Sequence, residues 1–268
     1  MKRNFGNFLI LFVLGISLLC YCATTGPGGK KSLILISTSQ EVSLGKEFAA
    51  QIDTTNPISD DSVLVAYVDG IGQKIGRLSD RPDLTYHFAV IDTPVVNAFA
   101  APGGFIYIYS GLLQVMDNEA QLAGVLAHEI SHVVARHGVK RLQQVLGLQV
   151  LLSIALGESS EMTQQAVGIG LAVLLQAYSR DNEFEADEYG AVYMQKGGYN
   201  PEGMVQLLEK LLEMSSGEAG FFEKVMATHP PTRERIQKVE SQIQGFDPSV
   251  RNLPFNEEQY QRIKDRLQ

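Results

Sequence analysis

Asn118-Glu119-Ala120-Gln121-Leu122-Ala123-Gly124-Val125-Leu126-Ala127-His128-Glu129-Ile130-Ser131-His132-Val133-Val134-Ala135-Arg136-His137-Gly138 is the stretch that decides how this chain is built. Asn118, with Gln121 three residues on, caps the start of a helix. Leu122, Val125, Leu126, Ile130 and Val133 carry it at helical spacing towards a glycine stop at Gly138. Inside that helix His128 and His132 are separated by a rotation of about 400°, so both imidazoles leave one face a turn apart and can share a metal ion. Glu129 stands between them in sequence, a carboxylate within reach of water on such an ion. Two neutral nitrogen donors and a carboxylate base are what metal-assisted hydrolysis requires. Without that use, two histidines and a glutamate on a largely apolar face are costly to bury.

A catalytic zinc site has three protein ligands and one open position. Where the extended zincin pattern would place a glycine and then a histidine, the chain has Ala135 and Gly138. His137 is turned about 180° from His128 on an ideal helix and is expected to be an exposed helix-end cation. The third ligand is therefore sought in Tyr178-Ser179-Arg180-Asp181-Asn182-Glu183-Phe184-Glu185-Ala186-Asp187. Glu183 and Asp187 are one turn apart and can both face the metal helix, one as ligand and one as acceptor for a ligand histidine's other N–H. Glu185 and Glu188 are expected to be solvated, although spacing alone does not choose Glu183 over Glu185.

Around this centre the 268 residues, 45% of them hydrophobic, suffice for one sizeable core. Lys2 and Arg3 precede an uncharged run from Phe5 to Cys22 whose dense part, Phe8 to Leu19, is short for a membrane span. The chain is thus divided into an export signal of lipoprotein type at residues 1–21, a tether at 22–31 rich in Thr, Gly, Pro and Lys, and a single domain at 32–268. The two cysteines, Cys20 and Cys22, both lie at the leader's end, which leaves no disulfide for the body and favours lipid attachment at Cys22. The formal net charge of −8 argues against a nucleic-acid partner.

Thr38 and Glu41 suggest a capping box opening a helix to about Gln51, and Leu64, Tyr67, Val68, Ile71, Ile75 and Leu78 give a second. Gly70, Gly72 and Gly76 in the latter mark close packing. Leu84–Ile91, Val95–Ala100 and Phe105–Tyr109 are short and rich in β-branched and aromatic residues, the last two joined by Pro102-Gly103-Gly104. They predict a small antiparallel sheet that needs helices on a face. Val145–Leu156 and Ala166–Ala177 predict a buried helical hairpin, with contact to lipid as the alternative, and further helices are expected at 181–196, 201–214 and 231–244. The fold class is α+β, predominantly helical, with the small sheet packed on the metal-binding helix.

Four pieces in order resemble the HtpX and CAAX-prenyl-protease family of zinc metallopeptidases, especially its exported bacterial lipoprotein branch. They are Asn97-Ala98-Phe99-Ala100-Ala101-Pro102-Gly103-Gly104, the His128 to His132 motif, Ser179-Arg180 leading to Glu183 and Ala186-Asp187, and Thr228-His229-Pro230-Pro231-Thr232. The resemblance implies a zincin-like domain holding one zinc ion on His128, His132 and Glu183, with Glu129 as general base and Asp187 supporting a ligand. It also brings His229 close to the metal, aiding the reaction or filling the open position in a latent form; by its residues alone, a His before Pro-Pro equally suits a helix-start turn. Arg233 and Arg235 are candidates to pair with acids near the site. The implied activity is endopeptidase cleavage of protein or peptide substrates in quality control of the bacterial cell envelope. The protein would then face the periplasm, lipid-anchored to the outer membrane, with substrate added as a strand beside Val95–Ala100. The competing reading is a chaperone-like or binding lipoprotein with a latent zinc site.

Overall fold

The protein is seen in a computed structural model that describes residues 23–25, 27–158, 161–215 and 228–267. The expected leader, with Cys20 and Cys22, lies outside the described residues. Strands β1 (Ala23–Thr25) and β2 (Lys31–Leu33) form a small antiparallel hairpin. They lead into helices α1 (Thr38–Thr55) and α2 (Ser62–Gly76), then strands β3 (His87–Ile91), β4 (Ala98–Ala101) and β5 (Phe105–Tyr109). After these come α3 (Ser110–Val115), α4 (Glu119–Val134), α5 (His137–Ala155), α6 (Glu161–Leu174), α7 (Arg180–Lys196), α8 (Glu202–Ser215), α9 (Arg233–Gln244) and α10 (Glu257–Lys264). No described helix is long and apolar enough to cross a membrane.

The α+β, mainly helical class expected from the sequence holds, but the sheet is mixed. Its order is β3-β5-β4, with β5 antiparallel to β4 and parallel to β3. The Pro102-Gly103-Gly104 turn makes the expected hairpin, aligning Ala101 with Phe105, and Gly103 supplies the positive φ of 76° that the turn needs. The link from β3 to β4 passes beyond β5, so β4 becomes an edge, and among the described residues no strand pairs with its outer side. Alternate residues of all three strands enter different cores. Phe88, Val90, Ala98, Ala100, Ile106 and Ile108 meet α2 and α4, whereas Ile91, Phe99 and Tyr107 meet Ala49 and Ile52 of α1. Burial on both faces explains why these strands are nearly continuously apolar. Close packing is borne out at Gly72, where a Cβ would lie 2.3 Å from Phe88, and at Gly76, where one would lie 2.6 Å from Tyr86, but not at Gly70, which faces open space.

α4 lies at the centre, with Leu122, Leu126 and Ile130 fully buried between the sheet and α7–α8. Asn118 caps it by accepting from the Gln121 amide N–H, as the sequence predicts. Helix α1 departs from expectation by one residue. Ser37 and Gln40 form its capping box, and Glu41 turns inward instead. There it accepts from Arg81 at 3.1 and 3.0 Å and from Arg136 Nε at 2.6 Å, while Arg81 also donates to the Val133 carbonyl at the end of α4. This knot holds Arg136 in the left-handed region at φ 56°, ψ 34°, which costs a non-glycine residue about 1–2 kcal/mol. α4 therefore stops short of the predicted Gly138. The hairpin of α5 and α6 buries Leu142, Leu151, Ile154, Val173 and Leu174 but leaves Val145, Leu148, Leu156 and Ile169 exposed, so only one side of it is core.

Candidate metal centre

His128 and His132 leave α4 on one face with their Nε2 atoms 3.1 Å apart. α7 begins at the cap Ser179, whose side chain accepts from the Asn182 N–H, and its first turn carries Glu183 into the same space. Glu183 oxygens lie 3.5 Å from each of the two Nε2 atoms. His229, just ahead of α9, closes the group, with Nδ1 2.9 Å from Glu183 Oε1 and 3.2 Å from His128 Nε2. One ligand atom from each of these four residues lies within 4.8 Å of all the others. Ligands about 2.0–2.1 Å from a tetrahedral zinc stand roughly 3.3 Å from one another, which these separations match.

Hydrogen bonds within the cluster do not satisfy it. Glu129 Oε2 and His229 Nε2 are buried without a hydrogen-bond partner. Buried polar atoms seldom go unpaired, and a cation among these donors gives the imidazole and carboxylate lone pairs a shared target. Glu129 itself is 2% exposed, with Oε1 3.4 Å from His229 Nε2.

Asp187, a turn beyond Glu183, accepts from His128 Nδ1 at 2.9 Å. Arg235 grips Asp187 with two bonds of 2.7 Å, reaches Glu183 Oε2 at 2.8 Å, and donates to the backbone carbonyls of His229 and Pro230. Arg235 thus meets acids at the site, whereas Arg233 is exposed. Burial alone would push the Asp187 carboxyl up, but Arg235 holds it below its usual range. Burial likewise opposes charge on His128, yet its bonds to Asp187 and Glu183 raise it to about 9, while burial carries His132 well below its ordinary value. Glu183, despite burial, is held well below the carboxylate range by the three histidines.

Three neighbours have places that the sequence reading did not give them. Tyr178 stacks on His132 with centroids 4.2 Å apart. His137 is not an exposed cation: it is 1% exposed, with Nδ1 2.9 Å from His132 Nδ1 and Nε2 3.0 Å from Glu185 Oε2. The left-handed step at Arg136 breaks the helical rotation and swings His137 back under His132. Glu185 is only partly solvated, and its bond to His137, aided by Lys30, holds it down to about 2.

The family model of peptidase family M48 matches residues 64–243, which contain all four cluster residues. The chain belongs to peptidase family M48. Zinc is the metal of this family, and the M48 chain presents donors that fit it. It is 29% identical over 226 residues to the beta-barrel assembly-enhancing protease of Escherichia coli (strain K12), covering 80% of this chain and 46% of that protein. It is 27% identical over 213 residues to Metalloprotease YcaL of the same organism, covering 78% and 82%. It is 32% identical over 177 residues to mitochondrial metalloendopeptidase OMA1 of Schizosaccharomyces pombe, covering 65% and 51%. The M48 chain thus spans about half the length of several relatives it matches.

Proposed function

We propose that this protein is a zinc-dependent endopeptidase that cleaves proteins of the bacterial cell envelope in quality control, with His128, His132 and Glu183 as ligands and Glu129 as general base. The observation that carries this reading is the separation of about one tetrahedral edge among the ligand atoms, with the unpaired Oε2 of Glu129 beside them. A zinc ion held there supplies a Lewis acid that acidifies water and polarises a carbonyl. Glu129 takes the proton from the attacking water and returns it to the leaving amine. Asp187 keeps His128 in the tautomer that offers Nε2, and Arg235 keeps Asp187 charged.

Substrate joins as a strand on the open edge of β4. An apolar hollow beside the site, lined by Leu112, Val125, Met204, Leu207 and Leu211, takes a substrate side chain. His229 occupies the fourth corner of the cluster, and Thr228 next to it donates to the Asn97 side chain at 2.7 Å, just ahead of β4. This contact supports a latent resting state, in which substrate on β4 competes with it. The envelope setting is supported by the name of one relative, a beta-barrel assembly-enhancing protease, and by the lipoprotein-type leader in the sequence. The membrane partner is the bilayer that would hold a lipid on Cys22.

The same fourth-corner histidine favours the second reading, a holding or chaperone-like lipoprotein with a latent zinc site. Metal content and casein cleavage separate the two in wild type, Glu129→Gln, Glu183→Ala and His229→Ala. The proposal expects one zinc per chain, retained without cleavage in Glu129→Gln, lost in Glu183→Ala, and faster cleavage in His229→Ala. Well-folded wild type without zinc would sink it; zinc without cleavage in both wild type and His229→Ala would favour the holding protein.

A further inference from the structure

Opposite the ligand cluster, His132 rests on a second imidazole. The row runs from His132 Nδ1 to His137 Nδ1 at 2.9 Å, from His137 Nε2 to Glu185 Oε2 at 3.0 Å, and from Glu185 Oε1 to Lys30 Nζ at 3.1 Å. An imidazole that gives its Nε2 lone pair to a metal carries its proton on Nδ1. Nδ1 of His132 is then the donor, Nδ1 of His137 the acceptor, and the remaining N–H of His137 donates to Glu185. The opposite tautomer of His137 would set N–H against N–H and a lone pair against a carboxylate, so the row admits one arrangement. Lys30 is held in place as well. It leaves the turn of the β1–β2 hairpin, where the Gly28 N–H donates to Asp80 at 2.9 Å. A Cβ on Gly28 would come within 2.3 Å of the Tyr189 hydroxyl, so the turn lies against α7.

We propose that His137 is a positioning residue of the metal centre, fixing the tautomer and ring plane of His132, and that Lys30 ties the N-terminal hairpin to it through Glu185. The inference rests on the reading of His132 as a ligand. Because the hairpin follows the segment expected to carry a lipid, the row links the membrane end of the chain to a zinc ligand.

Two substitutions at residue 137 separate positioning from packing. In His137→Asn the short amide can accept from His132 Nδ1 but no longer reaches Glu185; in His137→Gln the longer amide reproduces the reach of Nε2 and loses the bond to His132. The full-length protein and both variants, together with Lys30→Met, are compared for zinc affinity by chelator competition and for the visible spectrum of the cobalt(II)-substituted protein. His137→Gln is expected to bind zinc about 10- to 100-fold more weakly with an altered cobalt spectrum, and His137→Asn, which gives up only Glu185, to weaken it about two- to fivefold with the wild-type spectrum. Lys30→Met is expected to weaken binding about two- to fivefold, the scale of one exposed ion pair. Equal affinities and spectra for Asn and Gln would overturn the positioning role, and an unchanged Lys30→Met would overturn the link to the hairpin. Wild type that takes up neither metal would overturn the ligand reading itself, a result distinguishable from the others.

Discussion

His128 hands its Nδ1 to Asp187, and Arg235 closes that line inside the protein; His132 hands its Nδ1 to His137, and that line runs through Glu185 out to Lys30. Asp187 is 2% exposed and Arg235 4%, whereas the Lys30 side chain is 59% exposed. The first support is a buried ion pair that also holds Glu183 and the backbone of the His229 turn. The second passes through a second imidazole to an ion pair of Glu185 and Lys30 that ends in water. One helix therefore carries two proposed ligands whose sensitivities differ: breaking the inner line strands buried charge, and breaking the outer line loosens an orientation.

Arg235→Met is the strongest test of that contrast. It leaves Asp187 and Glu183 buried without their cation, and should cost about 3–5 kcal/mol of stability in the metal-free protein, read by urea denaturation. An unchanged midpoint would mean that the inner line is not a stability element. Asp187→Asn comes next. It keeps the shape but removes the charge behind His128, and zinc affinity should fall about 10- to 100-fold while the fold survives. If Asp187→Asn and His137→Asn weaken zinc equally, the two lines are equivalent and the contrast fails. Lys30→Ala has the smallest expected effect on stability, below about 1 kcal/mol and shrinking as salt is added; a larger, salt-insensitive loss would place Lys30 in the core of the design.

How much of this was legible in the sequence follows the range of the interactions. The cap at Asn118, the apolar stripe and the paired histidines of α4 are local, and they appear where the pattern places them. Glu183 and Asp187 were legible as a pair because one helical turn relates them, but choosing Glu183 over Glu185 took family resemblance. The sheet's strands were visible, yet their order was not, since nothing in Val95–Ala100 tells β4 to pass outside β5. His137 was misplaced because ideal helical rotation was carried through Arg136. The step that breaks it depends on Glu41 and Arg81, residues far away in sequence, and no local signal announces it. Glu41 itself looked like part of a cap, whereas Ser37 and Gln40 do that work.

The buried knot of Glu41, Arg81 and Arg136 also bears on the order of events in folding. It joins α1, the segment ahead of β3, and the junction of α4 with α5, so it cannot form until three distant parts of the chain have met. Until then nothing offsets the left-handed backbone at Arg136, and α4 is free to run on with His137 rotated away from His132. A partly folded chain can thus own both histidines of the motif and still lack the full metal site, so high-affinity zinc uptake belongs to the last stage of folding.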